Sequence, residues 1–239
     1  MLADEGTVQV VSGGFRSDIQ LKATSRLALI NFLADELPKW RDRSDRPAAS
    51  AETTLTSQLC AHMNGVSRLS GGWDFLQFRV EEQDEAKKGR KMDLIAAPSG
   101  ANIVIDGRRH TEFDTLLPIE CKRLPTPVGK DRDEREYVIS EFSTTGGIHR
   151  FKTGNHGAGH LVAGMIAYVQ ESDIPTWLER VAGWIDGLAA TGTPGWGAND
   201  LPVLETHDPQ QRTGKLLSAH VRSGSLADIT LHHLWIEIQ

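Results

Sequence analysis

Cysteine is scarce. Cys60 and Cys121 are the only two in 239 residues, and they form no CxxC pair, so no disulfide framework is indicated and a cytoplasmic protein with reduced thiols is expected. Long apolar runs are missing too: nothing approaches the roughly 18 uninterrupted apolar residues of a membrane helix. The start, Met1-Leu2-Ala3-Asp4-Glu5, has neither the basic flank nor the apolar centre of a signal peptide, and no membrane partner is expected. No internal repeat or low-complexity segment is evident. The glycine-rich stretch 154–159 lacks the Lys-Ser/Thr of a nucleotide P-loop and reads as a flexible turn or a backbone phosphate contact. Nine histidines give no recognisable zinc spacing. His156 and His160 stand four apart, but glycines at 154, 157 and 159 argue against a continuous helix between them, and His232 and His233 face opposite ways on a strand. An excess of positive charge is also absent. At a net charge of −6 the chain does not coat nucleic acid by charge alone.

What is present is enough apolar material for a core: 39% of the residues are hydrophobic, and the length suits a single α/β domain. Residues 17–43 carry apolar side chains at helical spacing, a polar loop follows to 51, and Ser50 is a candidate N-cap for a second helix from 51 to 63 or a little beyond. Strands are expected at 73–80, 90–97, 103–106 and 116–122 as a meander, with Pro125 and Pro127 closing the last of them. Segments 131–144 and 147–153 read as helical pieces separated by glycines. The near-continuous apolar run 160–170 is what a strand buried on both faces looks like. Pro175 opens an amphipathic helix over 176–188, 191–200 is a Gly/Pro-rich loop, and late strands are expected at 216–221 and 229–238. Trp177 and Trp184 fall on the core side of that helix; Trp235 covers either a strand or a dimer face.

The chemistry sits in two short apolar runs. Pro118-Ile119-Glu120-Cys121-Lys122 places Glu120 and Lys122 on one strand face and Cys121 on the other, and Lys91-Met92-Asp93-Leu94-Ile95 offers a carboxylate from a neighbouring strand. Two carboxylates suit a hard divalent cation, and a lysine beside them can orient a water or steady a phosphoryl oxygen. A surface salt-bridge ladder is the competing account of Glu120 and Lys122, and the apolar flanks Leu116, Leu117 and Ile119 weigh against it. Cys121 reads as a small core residue rather than a nucleophile. Glu52 lies at the start of the second helix, where the helix dipole alone would favour a carboxylate. Basic residues crowd these runs: Lys87, Lys88, Arg90, Lys91, Arg108, Arg109, Lys122, Arg123, Lys130, Arg150 and Lys152. That crowding fits a phosphate backbone lying nearby, although each cluster alone also fits a solvated surface.

Asp93 with Glu120-Cys121-Lys122 resembles the D…E-x-K signature of the PD-(D/E)XK, or restriction-endonuclease-like, nuclease superfamily; Met92 stands where the family name has Pro. Gly147-Ile148-His149-Arg150-Phe151 followed by Gly164-Met165-Ile166-Ala167-Tyr168-Val169 is further similar to a set of bacterial restriction-endonuclease-like proteins, most of them uncharacterised or linked to phage defence. The likeness spans about 52–169. It implies a restriction-endonuclease-like core, a mixed central sheet flanked by helices, within one domain: a helical extension over 1–50, the catalytic core over 51–170, and a C-terminal helix and strands over 171–239. The insert 99–115 must then form a strand or hairpin. It also implies a Mg²⁺- or Mn²⁺-dependent endonuclease acting on DNA in bacterial defence and leaving a 5′-phosphate. Asp93, Glu120, Glu52 and the Cys121 carbonyl would hold the metal, and Lys122 would position or activate the attacking water. His149, Arg150, Lys91 and Arg123 would meet phosphates. A homodimer or a defence-system partner protein would supply target choice. Two alternatives stay open: a non-cleaving nucleic-acid-binding or assembly subunit, and an RNA-directed nuclease.

Overall fold

A computed structural model describes residues 19–22, 25–85, 89–105, 107–142 and 146–238. Ten strands and four helices form among them, in the order β1 (Ile19–Leu21), α1 (Ser25–Arg41), α2 (Glu52–Leu69), β2 (Leu76–Gln83), β3 (Lys91–Pro98), β4 (Ile103–Ile105), β5 (Arg108–His110), β6 (Leu117–Leu124), α3 (Gly147–Lys152), β7 (Val162–Val169), α4 (Ile174–Ala190), β8 (Val203–Asp208), β9 (Thr213–His220) and β10 (Ile229–Glu237). A 3₁₀ turn, Ala198–Asp200, precedes β8. The protein is a mixed α/β fold. None of the described helices is long and apolar enough to cross a membrane.

The apolar run at 162–169 forms the strand expected of it, almost wholly buried. It lies parallel to β6 on one side and to β10 on the other, inside a seven-stranded mixed sheet ordered β2-β3-β6-β7-β10-β9-β8. Side chains alternate across this sheet, so each face builds its own core. Leu117, Ile119, Cys121, Ile166, Tyr168, Leu234 and Ile236 pack against α1 and α2. Met165, Ala167, Val169 and Trp235 pack against α3 and α4, with Trp177, Val181 and Ile185 opposite them. Asn64 pins α2 to β2 by accepting from Phe78 N and donating to Phe78 O, both at 2.9 Å.

Several boundaries differ from expectation. The first helix begins at Ser25, because residues 19–21 are drawn into a small second sheet, parallel to β4. The insert 99–115 does contain a hairpin, β4–β5, but it joins that second sheet instead of continuing a meander, and β6 returns to pair antiparallel with β3. Ser50 is not the cap of α2; Ala51 holds that position without a side-chain bond. No helix forms over 131–142, the described part of the expected 131–144. There the carbonyls of Glu136, Tyr137 and Val138 accept from Gly147, Ile148 and His149, the first amides of α3 (2.8, 3.1 and 2.9 Å), and are thus lost to a helical ladder. Glycine is required at 147 for this approach, since a Cβ there would lie 2.7 Å from the Tyr137 oxygen. Strand β8 has no counterpart in the sequence reading; nearly every residue in it is exposed, so it carries no burial pattern.

Candidate active site

The ladder between β3 and β6 runs from Ala96–Leu117 to Leu94–Ile119. Beyond it, two amides of β6 are met by carboxylates: Cys121 N donates to Asp93 Oδ2 (2.8 Å) and Arg123 N to Glu52 Oε2 (3.2 Å). Asp93 comes from β3 and Glu52 from the first turn of α2, whose backbone carbonyl accepts from Thr56 Oγ1 (2.8 Å). On the other side β6 stays paired with β7 as far as Leu124. The diverging strand thus carries Glu120 and Lys122 into a junction reached from both helix layers.

Lys122 is the centre of that junction. Its Nζ lies 2.7 Å from the Cys121 carbonyl oxygen, 3.0 Å from Glu120 Oε1, 3.1 Å from Glu52 Oε1 and 3.2 Å from Asp93 Oδ2. Glu120 is wholly buried. Arg150 holds its Oε1 and His156 Nδ1 lies 3.0 Å from its Oε2. Burial alone would raise the Glu120 pKa, but Lys122, the His156 hydrogen bond and Arg150 outweigh it and hold this carboxyl well below the usual range. Asp93 goes the other way, pushed up to about 6 by burial first and by the negative Glu120 second, against the pull of Lys122. Burial works to lower Lys122, yet Asp93, Glu120 and Glu52 prevail and keep it protonated.

Glu52 and Asp93 also line a cavity of about 200 Å³ with Thr53, Thr56, Ser57, Val80 and Glu81. That is smaller than a typical small-molecule site of roughly 300–1,000 Å³. It matches a handful of waters at about 30 Å³ each, and so a partly hydrated ion.

All five residues expected at the centre, Glu52, Asp93, Glu120, Cys121 and Lys122, are brought together. The residues expected to meet phosphate fare differently. Arg150 is turned inward onto Glu120. His149 stacks on Trp196 (centroids 6.3 Å apart), and its Nδ1 is buried without a hydrogen bond. Lys91 is exposed and paired with Glu81 at 3.1 Å. Arg123 reaches back to Ser50 O (2.8 Å). Lys87 and Lys88 lie outside the described residues. His156 is the residue the sequence reading missed. Its signal lay in the flanking glycines: Gly154 and Gly157 both adopt positive φ (64° and 60°), and the tight turn between them delivers the imidazole to Glu120. Cys121 is buried in the core, as expected, with its thiol pKa pushed up by burial and by Asp93.

Among the described residues no group of three or more His, Cys, Asp or Glu is arranged as a ready metal cage. The carboxylates here converge on an ammonium. The donor set nonetheless fits a hard cation, because four oxygens already surround one cationic atom. Three carboxylates against Lys122 and Arg150 also leave net negative charge. No family model, curated protein or solved structure matches the chain.

Proposed function

We propose that this is a divalent-metal-dependent nuclease with a restriction-endonuclease-like core, hydrolysing phosphodiester bonds of DNA. The observation that carries the reading is the convergence of Glu52, Asp93, Glu120 and the Cys121 carbonyl on Lys122 Nζ, from three separate elements and at distances of 2.7–3.2 Å. The sheet supports it: β3 antiparallel to β6, β6 parallel to β7, with α2 over one face and α3 over the other.

Bound Mg²⁺ or Mn²⁺ would supply Lewis-acid stabilisation of a phosphoryl oxygen. Asp93, Glu120, Glu52 and the Cys121 carbonyl would hold the ion. Lys122, kept protonated by its acidic neighbours, acts as a donor that orients the attacking water or steadies a phosphoryl oxygen; it is not the base that takes the water's proton. Arg150 and His156 fix the Glu120 carboxylate. The neighbouring cavity leaves room for the water and the scissile phosphate. Bacterial defence is the setting this reading implies, with target choice supplied by a second copy or a partner.

A second reading has its own support. Glu120 is fully buried with both oxygens engaged, and Asp93 and Glu52 satisfy strand amides, so the cluster could serve only to close the β3–β6 junction of a non-cleaving subunit. Incubation of supercoiled plasmid, linear DNA and RNA with Mg²⁺ or Mn²⁺ separates the readings. Metal-dependent cutting of DNA that disappears in Lys122→Ala supports the nuclease; cutting of RNA alone redirects the substrate; inertness towards all three favours the subunit.

A further inference from the structure

We propose that the Lys122 ammonium is a built-in competitor for the divalent cation: it occupies the cation position in the metal-free protein, and ion entry requires its side chain to withdraw. The inference rests on the nuclease reading above and concerns how that site is loaded.

The four oxygens assigned to the metal are the same four that touch Nζ: Cys121 O, Glu120 Oε1, Glu52 Oε1 and Asp93 Oδ2. Mg²⁺ needs its oxygens at about 2.0–2.1 Å, so an ion among them would lie within roughly 3 Å of the ammonium. Two cations so close repel strongly, and the burial of Glu120 and Lys122 limits the water that could screen them. An ammonium has three protons, and four oxygens press on it, so its contacts exceed its donors. Its stem is unbranched and flexible, and the cavity beside Glu52 and Asp93 is lined by Thr53, Ser57 and Glu81. Glu120 does not lose all compensation when the lysine leaves, because Arg150 and His156 stay on it. Lys122 then has two separable effects, opposing the ion before it binds and serving the reaction afterwards.

A lysine that only supports the bound metal or the water predicts unchanged or weaker ion binding once its charge is removed. Competition predicts the reverse. The experiment is calorimetric titration of Mn²⁺ into the wild-type chain and into Lys122→Met, which keeps an unbranched stem without the charge. The expected result is affinity at least about tenfold tighter in the variant, as removal of a like charge from the site requires. Equal or weaker binding in Lys122→Met beside a wild type that binds would overturn the competition while leaving the nuclease reading intact. No binding by either would overturn both. If Lys122→Met does not fold, reductive methylation of the wild type read by peptide mass spectrometry decides. Lys122 should be protected without metal and labelled under saturating Mn²⁺; protection that persists overturns the proposal.

Discussion

Asp93 and Glu120 lie in one cluster, yet their environments push them in opposite directions. Glu120 has a lysine, a histidine and an arginine to offset its burial, whereas Asp93 is raised by burial first and by Glu120 second, with Lys122 opposing them. A carboxyl held near 6 favours the folded state fully below its unfolded value of 3.8 and loses that contribution as pH rises through 6, so at neutral pH the ionised Asp93 costs stability. Asp93→Asn should therefore stabilise the metal-free protein at pH 7.5, by about 1 kcal/mol once the partial exposure of this side chain is discounted, as a urea unfolding curve would show. Asp93, Glu120 and Lys122 were legible in the sequence because strand alternation fixes where such side chains go, whereas Glu52 and the Cys121 carbonyl entered only through the resemblance. His156 was not, because its position depends on two left-handed glycines rather than on any period. Arg150 was legible as a participant but not in its direction: from sequence it faces a phosphate, and in the fold it faces Glu120.

Between elements, α3 is tied to the C-terminal strands by a line of buried hydrogen bonds. Trp235 Nε1 donates to Tyr137 Oη (2.7 Å), whose hydroxyl reaches His233 Nδ1 (2.7 Å). His233 Nε2 meets Ser218 Oγ (2.7 Å), Ser218 Oγ meets His220 Nε2 (2.7 Å), and His220 Nδ1 meets Asp200 (2.6 Å), which also pairs with Lys152 of α3. An indole can only donate and a carboxylate can only accept, and every contact between them is satisfied when each group donates towards Asp200 and both imidazoles are neutral, the state that burial favours for both histidines. Ser218→Ala would strand an imidazole nitrogen at each of His220 and His233, for a loss of roughly 2–4 kcal/mol in chemical denaturation. Burial, with the nearby His220 and His232, pushes His233 down to about 3, and burial lowers His220 as well. Their folded values lie below the unfolded value of 6.5, so this stability is complete above about pH 6.5 and drains away as pH falls towards 3. The denaturation midpoint should accordingly drop between pH 7 and pH 5. None of this was visible in sequence, since the contacts join residues up to 98 positions apart.

Across the whole molecule, α1 and α4 followed from apolar periodicity and the buried strand at 162–169 from a near-continuous apolar run, whereas the extent of the sheet did not follow from either. The likeness covering 52–169 placed the C-terminal third outside the core. In the fold, β10 is a full parallel neighbour of β7, and Trp235 within it is completely buried. A fragment limited to 51–170 would expose one edge of β7 and the sheet face that α4 covers. It should show no cooperative melt by circular dichroism, whereas the full chain should. The central claim is that the acidic junction works on phosphodiesters rather than merely holding two strands together. Plasmid cleavage in Mg²⁺ by wild type and Asp93→Asn, each first shown to be folded, tests it most directly. A phosphodiester-cleaving junction requires a cutting wild type and a variant at least as stable but slower by about a hundredfold or more, through loss of transition-state charge stabilisation. A folded Asp93→Asn that cuts as fast as the wild type would contradict it.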